Sequence, residues 1–226
     1  MQKEELLKEL TRDGYLKSEN VKAAFSAIDR KDFVAPGFEA EAYLNVPLPI
    51  GFGQTISQPL TVVFMLELLD LKPGQKILEI GSGSGWQTAM LAYLVSKPRT
   101  DADFTQINAE NNQEKSAGRV IAIERIPELL RMGERNVSKY NYVSKGTVKF
   151  VEGDGSNGYA ADAPYDRIIG AASADKLPEA WREQLAVGGR IVTPIRQSVI
   201  AFDKLSEKEF KETEYPGFIF VPLVKG

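Results

Sequence analysis

Glycines 81, 83 and 85 alternate with serines in the run E-I-G-S-G-S-G-W at 79–86. Backbone without a Cβ turns tightly and can approach a ligand closely. The apolar stretch before the run reads as a strand and the residues from Trp86 onward read as a helix. The free N–H groups at such a helix start favour an anionic group. This is the setting of a nucleotide-cofactor loop. A dinucleotide fingerprint, G-x-G-x-x-G, would need its last glycine at Trp86, where an indole could not allow the same close helix packing. A glycine-rich turn that holds no ligand is the plainer alternative.

The spacing G-x-G-x-G suits S-adenosylmethionine better than NAD, with the methionine carboxylate at the helix start. Glu79, Gly81, Ser82, Gly83 and Gly85 are the candidate contacts. The next strand ends in Glu124, followed by Arg125. An acid at the end of the second strand of a doubly wound sheet can accept both hydroxyl protons of a ribose. Its distance from Gly85 is long for that role, but removing residues 96–118 would restore a spacing of roughly 20 residues. Alternatively, Glu124 pairs with Arg125 or Arg131 at the surface. A third strand runs into E-G-D-G at 152–155, which places Asp154 and Gly155 where such sheets bind ligands. Asp154 could accept from an adenine amine, although Asp-Gly alone is more often a turn.

The segment L-P-I-G-F-G-Q-T-I-S-Q-P at 48–59 is dense in Gly, Pro and small polar groups, the composition of a functional loop. Read as a linker, it would have Ser57 capping the helix that Pro59 opens.

These residues need elements to position them. Residues 2–12 and 19–29 read as two helices, the second burying Val21, Ala24, Phe25 and Ile28. They form an N-terminal helical cap. Residues 33–59 read as an ordered loop with one hairpin, followed by a helix from Pro59 to the Pro73-Gly74 stop. Strands 76–80, 119–124, 147–151, 166–170 and 190–195 then alternate with helices 86–95, 127–140 and 178–185. That alternation predicts an α/β fold with a parallel sheet covered by helices. Strands 198–204 and 218–223 would add an antiparallel edge. The polar stretch 96–118 reads as an exposed insertion. The chain is expected to form a single domain over 1–226, with the cap and loop at 1–58 and a cofactor-binding core at 59–226.

Composition narrows the chemistry. The 226 residues include no cysteine and no histidine, so thiolate nucleophiles, imidazole bases and the usual soft metal ligands are unavailable. No metal is expected. A net charge of −3 offers no basic face for nucleic acid. No apolar run approaches the ~20 residues that span a bilayer, so no membrane partner is expected. The N-terminus has a charged helical pattern without a secretory signal, so the cytoplasm is the expected location.

The segments L-P-I-G-F-G-Q-T-I-S-Q-P, E-I-G-S-G-S-G-W-Q-T-A, E-G-D-G, A-P-Y-D, G-A-A and F-V-P-L-V occur in this order. In this the chain resembles the protein-L-isoaspartate O-methyltransferases over about residues 30–226, the insertion excluded. The resemblance implies a doubly wound, Rossmann-like methyltransferase sheet and S-adenosylmethionine as cofactor. Its implied substrates are isoaspartyl- and D-aspartyl-containing proteins and peptides, whose methyl esters close to succinimides. It also implies that Ser57 stands against the methyl-accepting carboxylate, with Gln54, Thr55 and Ile56 around it. Glu124, Asp154 and Gly155 fall at the family's cofactor positions. The sequence departs from the family in the insertion and in T-P-I-R at 193–196, where the family has a Pro-Val-Gly turn. A methyltransferase for another carboxylate, on a specific peptide or small metabolite, is the nearest alternative. A noncatalytic adenosylmethionine-binding module is a more distant one.

Overall fold

The computed structural model describes residues 2–96 and 118–224. Helices α1 (Lys3–Arg12) and α2 (Glu19–Ala27) come first, then a hairpin of β1 (Leu48–Gly51) and β2 (Gln54–Ile56). The core follows as α3 (Pro59–Leu69), β3 (Lys76–Ile80), α4 (Trp86–Ser96), β4 (Arg119–Glu124), α5 (Pro127–Ser138), β5 (Val148–Glu152), β6 (Tyr165–Gly170) and α6 (Glu179–Gln184). Strands β7 (Leu185–Ile195), β8 (Ser198–Lys204) and β9 (Phe210–Pro216) end the described chain's regular structure.

The main sheet has seven strands in the order β5-β4-β3-β6-β7-β8-β9. Pairs from β5 through β7 are parallel, whereas β8 runs antiparallel to both neighbours. The order reverses direction between β3 and β6, and a sheet wound both ways opens a crevice there at its carboxyl edge.

Side chains alternate across the strands. Ile77, Val120, Ile169 and Val192 face a core built with α1 to α5. Leu78, Ile121, Ile168 and Ile191 face a smaller one around Trp181 of α6. Burial on both faces explains why β3 and β4 read as nearly continuous apolar runs. Helix α4 is buried almost all round, through Trp86, Ala89, Met90, Leu91, Leu94 and Val95 among others. A helix of that kind must be covered on its outer side too, and α2 and α5 supply the cover.

The expected elements occur with shifts of a few residues at their ends, except at the C-terminus. The last strand is β9 at 210–216, not 218–223. Sequence F-K-E-T-E-Y-P mixes half-buried and exposed positions with none fully buried, which is what an edge strand with one solvated face can accommodate. The more apolar 218–223 is instead pulled back over the carboxyl edge of the sheet, with Ser173 N donating to Val221 O (2.8 Å) and Leu223 N donating to Ser173 O (2.7 Å). The insertion expected at 96–118 lies, but for its end residues, outside the described residues. Among the described residues no helix is long and apolar enough to cross a membrane.

Candidate active site

The sequence of the glycine loop requires its backbone shape. Gly81, Gly83 and Gly85 all have positive φ. Gly81 N and Ser82 N donate to Ile123 O, at 2.9 and 3.1 Å, so the loop leaves β3 tied to the end of β4. Gly85 shows why a side chain is excluded, since a Cβ there would stand 2.9 Å from Gly133 O and from Val137 Cγ2 on α5. The close helix packing that a dinucleotide loop achieves with its last glycine is achieved here one position earlier.

Glu124 is buried at the end of β4. Its Oε2 accepts from Gly83 N (3.0 Å), and its Oε1 accepts from Arg125 N (2.9 Å) and Ile126 N (3.1 Å). Surface pairing with Arg125 or Arg131 is therefore not its role. The carboxylate braces the glycine loop against the start of α5 and still presents itself to the crevice.

A cavity of about 420 Å³ occupies this crevice, within the ~300–1,000 Å³ usual for small-ligand sites. Gly81, Ser82, Gly83, Glu124, Arg125 and Gly155 line it, and so do Gln54, Thr55, Ile56 and Ser57. The hairpin is what carries the last four there. Leu48 pairs with Ile56 and Pro49 with Thr55, which turns Leu48, Ile50 and Ile56 inward. Ile50 Cδ1 reaches to 3.4 Å from where a Cβ on Gly83 would be, so the hairpin packs directly over the glycine loop.

Ser57 is half-buried on the cavity wall, and its hydroxyl has no hydrogen-bond partner among the described residues. It is not the helix cap. The N-cap of α3 is Gln58, whose side chain makes no capping bond. The Leu60 amide instead donates to Asn45 Oδ1 at 3.0 Å. The cap thus comes from a residue remote in sequence, which leaves Ser57 free to face the cavity.

Three expected contacts stand elsewhere. Gly85 lies behind the wall, against α5. Glu79 is wholly buried beneath the loop, accepting from Gln87 Nε2 (3.0 Å) and Thr88 Oγ1 (2.5 Å). Burial pushes its carboxyl up to about 7 despite those two donors. It fastens β3 to α4 and does not reach the cavity. Asp154 caps a 3-10 turn, accepting from Ser156 N at 2.8 Å. Its neighbours Gly153 and Gly155 line the cavity, and Asp154 itself does not. Gly155 needs its missing Cβ, which would fall 2.3 Å from Ile80 Cγ2.

Sequence reasoning overlooked two walls. Residues Ile219 to Val224 close one side of the cavity, although their apolar run suggested a strand. Trp86 forms part of the other. The Trp86 indole N–H and the Ser82 hydroxyl are buried with no partner among the described residues. A buried donor without an acceptor is costly, so both call for a polar ligand. Among the described residues no cluster of three or more Asp, Glu, His or Cys could hold a metal.

The family model for protein-L-isoaspartate(D-aspartate) O-methyltransferase matches residues 1–226. This chain belongs to that family. A protein-L-isoaspartate O-methyltransferase from Methanopyrus kandleri is 39% identical over 226 residues, covering 98% of this chain and 91% of the relative. One from Aeropyrum pernix is 41% identical over 223 residues, covering 97% and 78%. Among solved structures, a Plasmodium falciparum chain assigned to the same enzyme and crystallised with S-adenosyl-L-homocysteine superposes with a TM-score of 0.80. It is 23% identical over the whole of both chains. A second solved protein-L-isoaspartate O-methyltransferase, 26% identical, gives 0.78 and covers 98% of this chain and 65% of that one. The fold is the Rossmann-like methyltransferase fold.

Proposed function

We propose that this chain methylates the carboxylate of L-isoaspartyl and D-aspartyl residues in proteins and peptides, with S-adenosylmethionine as donor. The observation that carries the reading is the placement of Ser57 and the glycine loop on one cavity, in a chain whose relatives bear that enzyme's name. The site fits the cofactor through the cavity volume, the Glu124 carboxylate beside Gly83, and the unpaired Trp86 N–H and Ser82 hydroxyl.

When bound, the cofactor supplies a methyl group already activated by its sulfonium. The acceptor is a carboxylate with a pKa of about 4, ionised at neutral pH, so no base must remove a proton. A chain without histidine or cysteine can therefore catalyse the reaction by positioning alone. Ser57 donates a hydrogen bond that orients the acceptor carboxylate, with Gln54, Thr55 and Ile56 shaping its approach. Glu124 would accept from the ribose hydroxyls, Gly81, Ser82, Gly83, Arg125 and Gly155 line the surrounding wall, and Asp154 shapes the turn that presents Gly155. Holding the reacting atoms in line at about 3 Å, and keeping water out, is worth several orders of magnitude in rate.

The proposal takes the acceptor to be protein or peptide in the cytoplasm, not nucleic acid; the net charge of −3 supports the last point. Residues 1–226 are read as one domain.

The test is methyl transfer to matched peptides that differ only in an isoaspartyl or an aspartyl residue. Transfer confined to the isoaspartyl peptide supports the reading. Equal labelling of both peptides, or of neither, overturns it and points to a different carboxylate.

A further inference from the structure

Arg30 follows α2, and its guanidinium is completely buried with no ion pair among the described residues. Its partners are three backbone carbonyls and an aromatic ring. Nη1 donates to Ala42 O at 2.6 Å, and Nη2 donates to Val46 O at 3.1 Å and to Ser57 O at 2.9 Å. The guanidinium carbon lies 5.1 Å from the ring centroid of Trp86.

These partners belong to different parts of the site. Ala42 and Val46 precede the hairpin, Ser57 follows it, and Trp86 is the first residue of α4, directly after the glycine loop. The segment from 42 to 58 contains only the short hairpin, so its carbonyls outside the β1–β2 ladder need donors from elsewhere. A planar guanidinium with five N–H groups can serve several at once and stack on an aromatic face. Carbonyl dipoles and the indole face thus take the place of a counter-ion. Burial lowers the Arg30 pKa to about 10, which leaves it charged at neutral pH.

We propose that Arg30 is a positioning residue that fixes the backbone of Ser57 relative to the cofactor loop by clamping both ends of the hairpin segment onto Trp86. This rests on the reading of Ser57 as the residue that orients the acceptor carboxylate. Arg30 itself touches neither substrate nor cofactor. It acts through the Ser57 carbonyl, and a small displacement of that backbone moves the hydroxyl out of line.

Lysine keeps the charge but offers a compact ammonium without the planar fork, so Arg30→Lys is the discriminating variant. Three readouts on the full chain separate the possibilities. Amide hydrogen exchange across residues 43–58 is expected to quicken by tenfold or more, with exchange in β3, β4 and β6 unchanged. Calorimetric titration with S-adenosylhomocysteine is expected to stay within threefold of the parent. The kcat for an isoaspartyl peptide is expected to fall at least tenfold at saturating peptide. If Arg30→Lys leaves exchange in 43–58 unchanged, or quickens exchange equally throughout the chain, Arg30 is an ordinary core residue and the proposal fails. A parent protein that does not methylate the isoaspartyl peptide would defeat the proposed function, while the exchange result would still decide whether Arg30 clamps the hairpin. Should Arg30→Lys not fold, Arg30→Gln, which keeps a planar donor without charge, replaces it under the same criteria.

Discussion

The Glu124 carboxylate holds the amide of Gly83 at 3.0 Å, across 41 residues of sequence, while its other oxygen holds the amides of Arg125 and Ile126. Both oxygens are therefore acceptors, and an amide side chain cannot reproduce that, because its NH₂ would face an N–H. Glu124→Gln should weaken S-adenosylhomocysteine binding by about 10- to 100-fold, the size of one or two lost charge-assisted hydrogen bonds. Calorimetric titration measures it. An unchanged Kd with a lowered melting temperature would make Glu124 a brace for the loop only.

Glu79 gives the fold a pH dependence of definite sign. Its carboxyl titrates near 4.5 when unfolded and is raised to about 7 by burial in the fold. Its contribution to stability is fully present below the unfolded value, shrinks as pH rises, and is gone above the folded value. The total is on the order of 3 kcal/mol or less. Glu79→Gln should flatten the melting temperature between about pH 5 and pH 8 and raise it at the alkaline end. Melting curves at three pH values on both proteins test this, and parallel curves would refute it.

Gly85 cannot carry a side chain. A Cβ would press against Gly133 O and Val137 Cγ2, each at 2.9 Å, at a φ of +89. Gly85→Ala should cost roughly 2–4 kcal/mol through strain and the separation of α4 from α5. Denaturant unfolding reads this directly, and a change below about 0.5 kcal/mol would mean that α5 yields freely.

Ser57→Ala should lower methyl transfer to an isoaspartyl peptide by roughly 5- to 150-fold, equivalent to a lost substrate hydrogen bond of about 1–3 kcal/mol. Because Asn45 supplies the helix cap, the melting temperature should not change, nor should affinity for S-adenosylhomocysteine. Steady-state kinetics, a titration and a melting curve on one preparation suffice. Normal turnover would falsify the assignment of Ser57.

Much of this protein was legible in one dimension because it depends on local rules. Gly81, Gly83 and Gly85 mark a turn that only glycine makes easily. The apolar runs of β3 and β4 mark strands buried on both faces, and the alternation with helices specifies a doubly wound sheet. The position of Glu124 at the end of β4 follows from the same order. The tertiary structure alone decided whatever depends on partners distant in sequence. Ser57 looked like a cap until Asn45 took that place, Glu79 looked like a ligand contact until α4 covered it, and Arg30 carried no local sign of its three carbonyls. Residues 218–223 have the composition of a strand, and β9 has the charge of a turn. The edge of a sheet accepts the charged segment because one of its faces is wet, and the apolar one lies across the open crevice, where Phe220, Val221 and Leu223 gain partial burial while Ile219 stays exposed.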